Sequence, residues 1–248
     1  MQDPIKPILR KLKLTWMLEN YEHELTEAAR LNRTQHELLG RLLSGEVEAR
    51  QARSIQRRLR SARLPEMGAM DQFDWAWPTE INREQIQHLF TFNFMADRKN
   101  VVFIATVGLG KTHIATALAR EACMRNRSVL FTPAVDLINT LAAAQGPERF
   151  ERTLKKFTRP DLLVIDELGY LPIDRVGAQL LFQVFGKRYE RASTIITTNR
   201  IYKHWPKTFA NDATLTSAVL DRVNHHCETV IIKGKSYRMK GRIDQDQD

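Results

Sequence analysis

Residues 101–119 read VVFIATVGLGKTHIATALA, and this stretch decides the fold. An apolar β-rich run passes into a loop and then into a helical pattern, and the loop ends in the GKT of the P-loop pattern GxxxxGK[ST]. Backbone N–H groups of such a loop surround phosphates, and the helix that follows directs its positive dipole end at them. We expect Lys111 to reach the β- and γ-phosphates and the Thr112 hydroxyl to ligate Mg²⁺. The predicted nucleotide-binding residues are Ala105, Thr106, Val107, Gly108, Leu109, Gly110, Lys111, Thr112 and His113.

The rest of the carboxyl-terminal half alternates between β-rich apolar runs and helical stretches. The runs predict strands at 101–105, 128–132, 162–166, 193–198 and 229–233. Helices are expected between them at about 111–125, 134–144, 147–158, 175–190 and 213–225. Strands that alternate with helices predict an α/β fold in which helices sandwich a parallel sheet.

Polar residues end two more of the predicted strands. The strand in DLLVIDELG (161–169) ends in Asp166 and Glu167, a Walker B arrangement in which Asp166 holds Mg²⁺ and Glu167 polarises the attacking water. The strand STIITT ends in Asn199, which we expect to contact the γ-phosphate or that water. All these ends lie at the carboxyl edge of a parallel sheet, where such folds bind ligands. The combination favours ATP hydrolysis over phosphoryl transfer to a small metabolite.

The amino-terminal region has a helical pattern instead. Thr34 and Glu37 have capping-box spacing, so a helix is expected from there to about Arg63. A helix is also predicted before it, with five residues on one face: Leu14, Leu18, Tyr21, Leu25 and Ala28. We place a basic helical domain at 1–66 and the ATPase domain at 67–248. The latter begins with an aromatic connector, 67–100, which contains a short helix from about 83 to 96.

Positive charge is concentrated in a few places. The chain has 38 Lys+Arg against 29 Asp+Glu, a net charge of +9, and the tail from Lys233 to Arg242 contains five basic residues and no acid. Basic residues that share one face of a helix bind phosphates without recognising the base sequence, and no sequence-specific DNA-binding motif is present. The alternative for each stripe is a solvated helix face. The predicted contacts with duplex DNA are Arg50, Arg53, Arg57, Arg60, Arg149, Arg152, Lys155, Lys156 and Arg159.

The composition also bears on the cellular compartment. The 248 residues contain no apolar run of membrane-spanning length, and the first residues lack the features of a secretory signal. The two cysteines, Cys123 and Cys227, have no metal or redox spacing and suggest a reducing environment. A cytoplasmic protein without a membrane partner is expected.

Five motifs carry a family resemblance. In order they are GKTH (110–113), LLVIDELGYLP (162–172), ITTN (196–199), LDRV (220–223) and GKSYR (234–238). This series resembles the IstB family of transposition helper ATPases, which are AAA+ proteins related to the DnaC helicase loaders. The resemblance covers nearly the whole chain. It departs at Ala105-Thr106, where the family usually reads Gly-Pro.

The resemblance implies properties that the residue pattern alone does not. It implies ATP and Mg²⁺ as ligands, a homo-oligomer in which Arg222 acts as an arginine finger in the neighbouring site, and Arg238 as a second phosphate sensor. It also implies no carboxyl-terminal helical lid domain, and a role in assembling on target DNA and recruiting or stimulating a transposase. Two alternatives stay open: a DnaC-like replicative helicase loader, and a DNA-binding scaffold whose nucleotide binding is weakened at Ala105-Thr106.

Overall fold

A computed structural model describes residues 3–66 and 70–237 of the chain. Contacts divide the chain into two compact units, Met1–Arg57 and Arg58–Asp248. The dividing point lies inside one long helix, so the domain boundary that we place near residue 66 stays a prediction. In the described part of the chain, no helix is long and apolar enough to cross a membrane.

Three helices build the amino-terminal unit: α1 (Ile5–Lys11), α2 (Thr15–Arg30) and α3 (Gln35–Ala62), the last of which continues beyond it. Leu9, Met17, Tyr21 and Leu42 form its small core. The capping box is confirmed, because the Thr34 backbone N–H donates to the Glu37 carboxylate at 2.7 Å and the Glu37 N–H donates to the Thr34 hydroxyl. These bonds, from the Thr34 backbone first, lower the pKa of Glu37. Of the apolar face predicted for α2, Leu25 is exposed instead.

The second unit is an α/β fold, as the sequence predicts. Its elements, in order, are α4 (Arg83–Leu89), α5 (Asn93–Ala96), β1 (Asn100–Ala105), α6 (Lys111–Met124), β2 (Val129–Pro133), α7 (Ala134–Ala142), α8 (Pro147–Thr158), β3 (Leu162–Leu168), α9 (Arg175–Arg188), β4 (Ser193–Thr198), α10 (Trp205–Thr208), α11 (Ala213–Asn224) and β5 (Cys227–Ile232). The five strands pair in parallel in the order β2-β3-β4-β1-β5.

Helices cover both faces of this sheet. Along β1, Val102 and Ile104 belong to the core shared with α7, α8, α9 and α11, whereas Val101 and Phe103 belong to the core shared with α4, α5 and α6. Successive side chains of a strand point to opposite faces, so a strand covered on both sides is apolar throughout. The carboxyl ends of β1, β3 and β4 lie side by side, and the polar residues that end them meet there.

One expectation about the connecting segments needs correction, and another concerns residues that the structure describes only in part. The helix expected from 83 to 96 is interrupted between α4 and α5, because Phe92 adopts a left-handed conformation with φ of 64°. The expected absence of a helical lid concerns residues after β5, and of these the structure describes only 233–237.

Candidate nucleotide-binding site

The loop between β1 and α6 has the backbone that a P-loop requires. Gly108 and Gly110 have φ of 78° and 82°, a region that residues with a Cβ atom rarely adopt. Ala105 is the last residue of β1, pairs with Ile232 of β5 and keeps a negative φ. Alanine therefore fits at this position without backbone strain, and the departure from the family pattern leaves the loop geometry intact.

The side chain of Lys111 lies against the loop itself. Its Nζ donates to the carbonyl oxygens of Ala105 and Thr106, each at 2.7 Å. These bonds hold an ammonium group at the loop, where a phosphate would replace carbonyl oxygens as its acceptor.

Three hydroxyl and carboxylate groups form a network beneath the loop. The Thr112 hydroxyl donates to Asp166 Oδ1 at 3.0 Å, and the Thr197 hydroxyl also donates to that oxygen. Asp166 is 7% exposed, so strand ends and not solvent determine its environment. Hydroxyl and carboxylate oxygens are the protein ligands that Mg²⁺ accepts, so Thr112 and Asp166 fit the metal role predicted for them.

Glu167 lies at an irregularity of the sheet. The pairing of β3 with β4 shifts register between Ile165 and Leu168, and Glu167 there has φ of 59°. Its backbone N–H donates to the Thr197 hydroxyl at 2.9 Å, so the same threonine positions both acidic residues. The residues before Glu167 in β3 are buried, whereas at this β-bulge the side chain of Glu167 is exposed and lines the pocket.

Asn199 follows β4 and lines the same pocket. Its buried Oδ1 finds no hydrogen-bond partner among the residues that the structure describes. Buried side-chain oxygens are usually paired, and an unpaired one costs about 1–3 kcal/mol. A ligand with a polar group in this pocket would remove that cost, which fits the role predicted for Asn199.

Aromatic side chains complete the pocket, which has a volume of about 270 Å³. The ring of Phe73 packs against Gly110 and lies 5.6 Å from the ring of His113. Trp77 and Tyr237 stack edge to face at 5.5 Å, and both line the pocket. Phe73, Trp77, Thr197 and Tyr237 are site residues that the motifs do not predict. For Phe73 and Trp77, the aromatic composition of the connector before β1 is the one sequence signal that could have indicated them.

The segment after β5 holds these aromatic side chains in place. Residues Glu80 and Lys233 exchange two backbone hydrogen bonds, and the indole of Trp77 donates to the Lys235 carbonyl at 2.7 Å. The N–H of Tyr237 donates to the Gly108 carbonyl at 2.8 Å, which ties this segment to the P-loop. Arg238, the predicted phosphate sensor, lies outside the described residues.

Comparisons with known proteins show the family to which the chain belongs. The sequence model of the family described as IstB-like ATP binding protein matches residues 8–245. The chain belongs to this family. It is 35% identical over 247 residues to the ATP-binding protein of insertion sequence IS5376 from Geobacillus stearothermophilus, covering 100% of this chain and 98% of that protein. It is 37% identical over 236 residues to the corresponding protein of insertion sequence IS21 from Pseudomonas aeruginosa, covering 95% and 89%.

Solved structures support the AAA+ fold. The crystal structure of the DnaC helicase loader matches with a TM-score of 0.51 at 20% identity, covering 67% of this chain and 97% of that chain. The IstB-like protein thus combines the P-loop ATPase fold of that group with the sequence of an insertion-sequence ATP-binding protein.

Arg222, the predicted arginine finger of the IstB-like chain, lies on α11. Its guanidinium stacks on the ring of Phe182 in α9 at 3.9 Å, and Gly186 gives it room against that helix. Its buried Nη1 lacks a hydrogen-bond partner in the described part of the chain. This nitrogen is buried against α9, so Arg222 would have to leave Phe182 in order to enter a neighbouring site.

The arginines of α3 are partly engaged within the amino-terminal unit. Arg50 and Arg53 form ion pairs of 3.5 Å and 3.1 Å with Glu46, which is 4% exposed. The Glu46 carboxylate in turn accepts the N–H groups of Trp16 and Met17 at the start of α2. These two arginines therefore stabilise the helical unit. Arg57 and Arg60 are exposed, and no ion pair involves them within the described residues.

The basic residues of α8 and of the position after it are all exposed. Leu154 and Phe157 on the opposite face are buried in the core, as the predicted stripes require. The ammonium of Lys156 lies 5.3 Å from the centre of the Phe157 ring, and burial followed by the charge of Arg63 lowers the pKa of Lys156. An open groove runs along this surface, lined by Arg152, Lys155, Lys156 and Arg159.

Proposed function

We propose that this chain hydrolyses ATP with Mg²⁺ and uses the nucleotide to assemble on duplex DNA as a transposition helper. One observation carries the proposal: Lys111, Thr112, Glu167 and Asn199, which follow three separate strands, line a single pocket, and the buried Asp166 accepts a hydrogen bond from Thr112. Membership of a family of insertion-sequence ATP-binding proteins supports the biological setting.

Each residue has a distinct part in the proposed reaction. The N–H groups of the P-loop and Lys111 bind and neutralise the phosphates, and Thr112 with Asp166 would hold Mg²⁺, which neutralises charge that develops between the β- and γ-phosphates. Glu167 accepts a proton from the attacking water, and Asn199 orients that water or the γ-phosphate through its amide. The aromatic rings of Phe73 and Trp77 offer an apolar surface for a nucleotide base.

A glutamine substitution tests the catalytic assignment. Glu167→Gln keeps the size of the side chain but removes the base, so we expect ATP binding and ATP-dependent assembly to persist while the steady-state rate falls by about 100-fold or more. Glu84→Gln changes an exposed carboxylate on α4 and serves as the matched control. Normal turnover by Glu167→Gln would overturn the assignment.

Binding of nucleotide by the natural loop is tested separately. Ala105 keeps a strand backbone, so Ala105→Gly relieves no strain, and we expect equal ATP affinities for the two proteins in equilibrium titrations. Undetectable binding by the natural chain, restored by glycine, would support the DNA-binding scaffold instead.

The DNA contact is proposed to centre on α8. Arg152, Lys155, Lys156 and Arg159 are exposed and line one groove together with Glu148 and Glu151, and no ion pair within the described residues involves these four, whereas Arg50 and Arg53 are paired with Glu46. Phosphate contacts of this kind give affinity without sequence preference.

Charge reversal on this helix tests the assignment. The double variant Arg152→Glu/Lys155→Glu should weaken duplex binding and, because two phosphate contacts are lost, reduce the slope of log affinity against log salt by about 2. The matched double variant Lys203→Glu/Lys207→Glu makes the same change in net charge on exposed residues elsewhere. If both variants weaken binding equally, the contact does not depend on α8.

Arg222 is proposed to complete the nucleotide site of a neighbouring copy, and mixing two inactive variants tests this. Arg222→Ala keeps an intact site but lacks the finger, and Glu167→Gln keeps the finger but lacks the base. If Arg222 acts between subunits, the mixture regains ATPase activity that neither variant has alone. A mixture as inactive as its parts would show that Arg222 acts within its own chain.

The partner is proposed to be the transposase of the same insertion sequence, which the family membership supports. Co-purification of the tagged chain with that transposase, in the presence of ATP and duplex DNA, is the expected result. Co-purification with a replicative helicase instead would favour the helicase-loader alternative.

A further inference from the structure

We propose that Glu190, His225 and His226 form a binding site for a divalent transition-metal ion such as Zn²⁺, separate from the nucleotide site. One oxygen of Glu190 and one ring nitrogen of each histidine all lie within 4.8 Å of one another. Within residues 3–66 and 70–237, these three are the one group of His, Cys, Asp or Glu side chains with this spacing. Nothing in the proposed ATPase reaction uses them.

The site lies at the edge of the sheet opposite the nucleotide pocket. Glu190 follows the end of α9, and the two histidines connect the end of α11 to Cys227, the first residue of β5. The P-loop and the Walker B residues lie at the carboxyl ends of their strands, whereas the histidines precede the amino end of β5. An ion here would therefore be distinct from the Mg²⁺ expected with ATP.

The donor set selects the kind of ion. Two imidazole nitrogens with one carboxylate oxygen suit Zn²⁺ and its first-row neighbours, whereas Mg²⁺ and Ca²⁺ prefer oxygen ligands alone. Three protein ligands leave a fourth position for water or for a group from another molecule. All three side chains are exposed, so an ion from solution can reach them.

Neighbouring groups hold the three ligands in place. The hydroxyl of Tyr189 shares a hydrogen bond of 2.7 Å with Nδ1 of His225, which fixes the plane of that ring. Such outer partners are usual for metal-binding histidines, since they set the orientation of the ring. Nε2 of His226 already lies 3.6 Å from Oε1 of Glu190, and the two histidine rings lie 4.2 Å apart.

The backbones of the ligands are also anchored, and the helices favour a cation. The carbonyl of His226 accepts the N–H of Asn100, and the carbonyl of Glu190 accepts Nη1 of Arg98, both from the segment that leads into β1. The helices α9 and α11 end just before Glu190 and His225, and their carbonyl ends attract positive charge. Arg98 and Arg222 are nearby cations, the first bonded to the Glu190 carbonyl and the second close enough to act on Tyr189, and an ion would have to bind in spite of their charges.

A bound ion would link the ends of α9 and α11. Arg222 precedes His225 by one turn of α11 and stacks on Phe182 of α9, so the same helix pair carries the proposed finger. We expect metal binding to stabilise this pair. The site itself does not depend on the proposed ATPase function.

Titration of the metal-free full chain with Zn²⁺ and with Co²⁺, without nucleotide, tests the proposal. Calorimetry should give one ion per chain, and Co²⁺ should show the visible absorption of a low-coordinate nitrogen and oxygen site. His226→Ala and Glu190→Gln should each lose this binding, while His204→Ala, at an exposed histidine of another segment, should keep it. Equal binding by His226→Ala and the natural chain would overturn the proposal.

Two further variants separate this site from other sources of affinity. Tyr189→Phe should weaken Zn²⁺ binding by about 10-fold, because the ring of His225 loses its outer partner. Cys227→Ser should bind as the natural chain does, and loss of binding in that variant alone would assign the ion to the thiol instead. Zn²⁺ should raise the thermal unfolding temperature of the natural chain and of Cys227→Ser but not of His226→Ala.

Discussion

Replacement of Arg188 by methionine should strongly destabilise the second unit, residues 58–248. Arg188 ends α9, is 2% exposed, and donates five hydrogen bonds; no ion pair within the described residues includes it, although the charge of Asp161 acts on it. Burial lowers its pKa to about 9, so the guanidinium keeps its charge at neutral pH. Its acceptors are the carbonyls of Phe157, Thr158, Pro160 and Ser193 and the hydroxyl of Thr194.

The size of the effect follows from these acceptors. Methionine has a similar volume but no donor, so carbonyl oxygens at the end of α8 and the start of β4 lose their partner at about 1–3 kcal/mol each. Removal of a buried charge recovers part of that loss, because its desolvation cost disappears. Together these effects give a net decrease of about 3–5 kcal/mol in the free energy of unfolding, because several carbonyl oxygens lose their partner and only one desolvation cost is recovered.

Urea unfolding followed by circular dichroism measures this change. With a slope of about 2 kcal/mol per M, the midpoint of Arg188→Met should fall by about 1.5–2.5 M. Arg191→Met, at an exposed position three residues later, should change the free energy by less than about 0.5 kcal/mol. If the two variants unfold at the same midpoint, the hydrogen bonds of Arg188 do not stabilise the fold as argued.

Three other substitutions test local features. Gly110→Ala should abolish ATP binding in fluorescence titrations, because Gly110 has φ of 82° and an added Cβ would lie 2.4 Å from an aromatic ring. Gly146 has φ of 78° but lies in open space, so Gly146→Ala should cost only about 1–2 kcal/mol of stability and keep ATP binding. In α3, Gly45→Ala should lower the stability measured by thermal melting, because its Cβ would lie 2.3 Å from an indole ring. The Cβ of Gly40→Ala would contact nothing, so this variant should increase the stability by about 1 kcal/mol. The reverse order would refute the packing argument. Thr197→Val should lower kcat for ATP hydrolysis with little change in ATP affinity, and an unchanged kcat would show that its hydroxyl does not position the acidic pair.

Local sequence patterns predict most of the second unit. They place all five strands within about two residues, since a strand buried on both faces reads as an apolar run between turn residues. They also predict that Lys111, Thr112, Asp166 and Asn199 lie at one edge of the sheet, because each ends or follows such a run, and the structure brings them together there, while their roles stay predictions. The break at Phe92 could not be read, because nothing in its local sequence requires a left-handed residue there.

Contacts between distant segments account for what the sequence did not predict. Thr197 reads as one of two threonines at the end of β4, and only its pairing beside β3 shows that it bonds to both Asp166 and Glu167. In the pocket, the ring of Trp77 packs against the ring of Tyr237, although most of the chain separates the two residues in sequence. Neither pairing leaves a periodic or spacing signal.

The same reasoning separates the two basic helices, which look alike in sequence. The stretch from Arg50 to Arg63 contains six arginines and no acid, but Glu46 lies one turn before it and forms ion pairs with Arg50 and Arg53. On α8 the reverse holds: the one acid between residues 149 and 159 is Glu151, and its carboxylate bonds to Lys187 of α9 at 2.7 Å. An acid outside the stretch on α3 thus pairs with two of its arginines. On α8, by contrast, the only acid within the stretch pairs with a lysine of another helix. The five basic residues between 149 and 159 thus form no ion pair within the described residues, whereas Arg50 and Arg53 share Glu46, and for this reason α8 is the helix that we propose for the DNA contact.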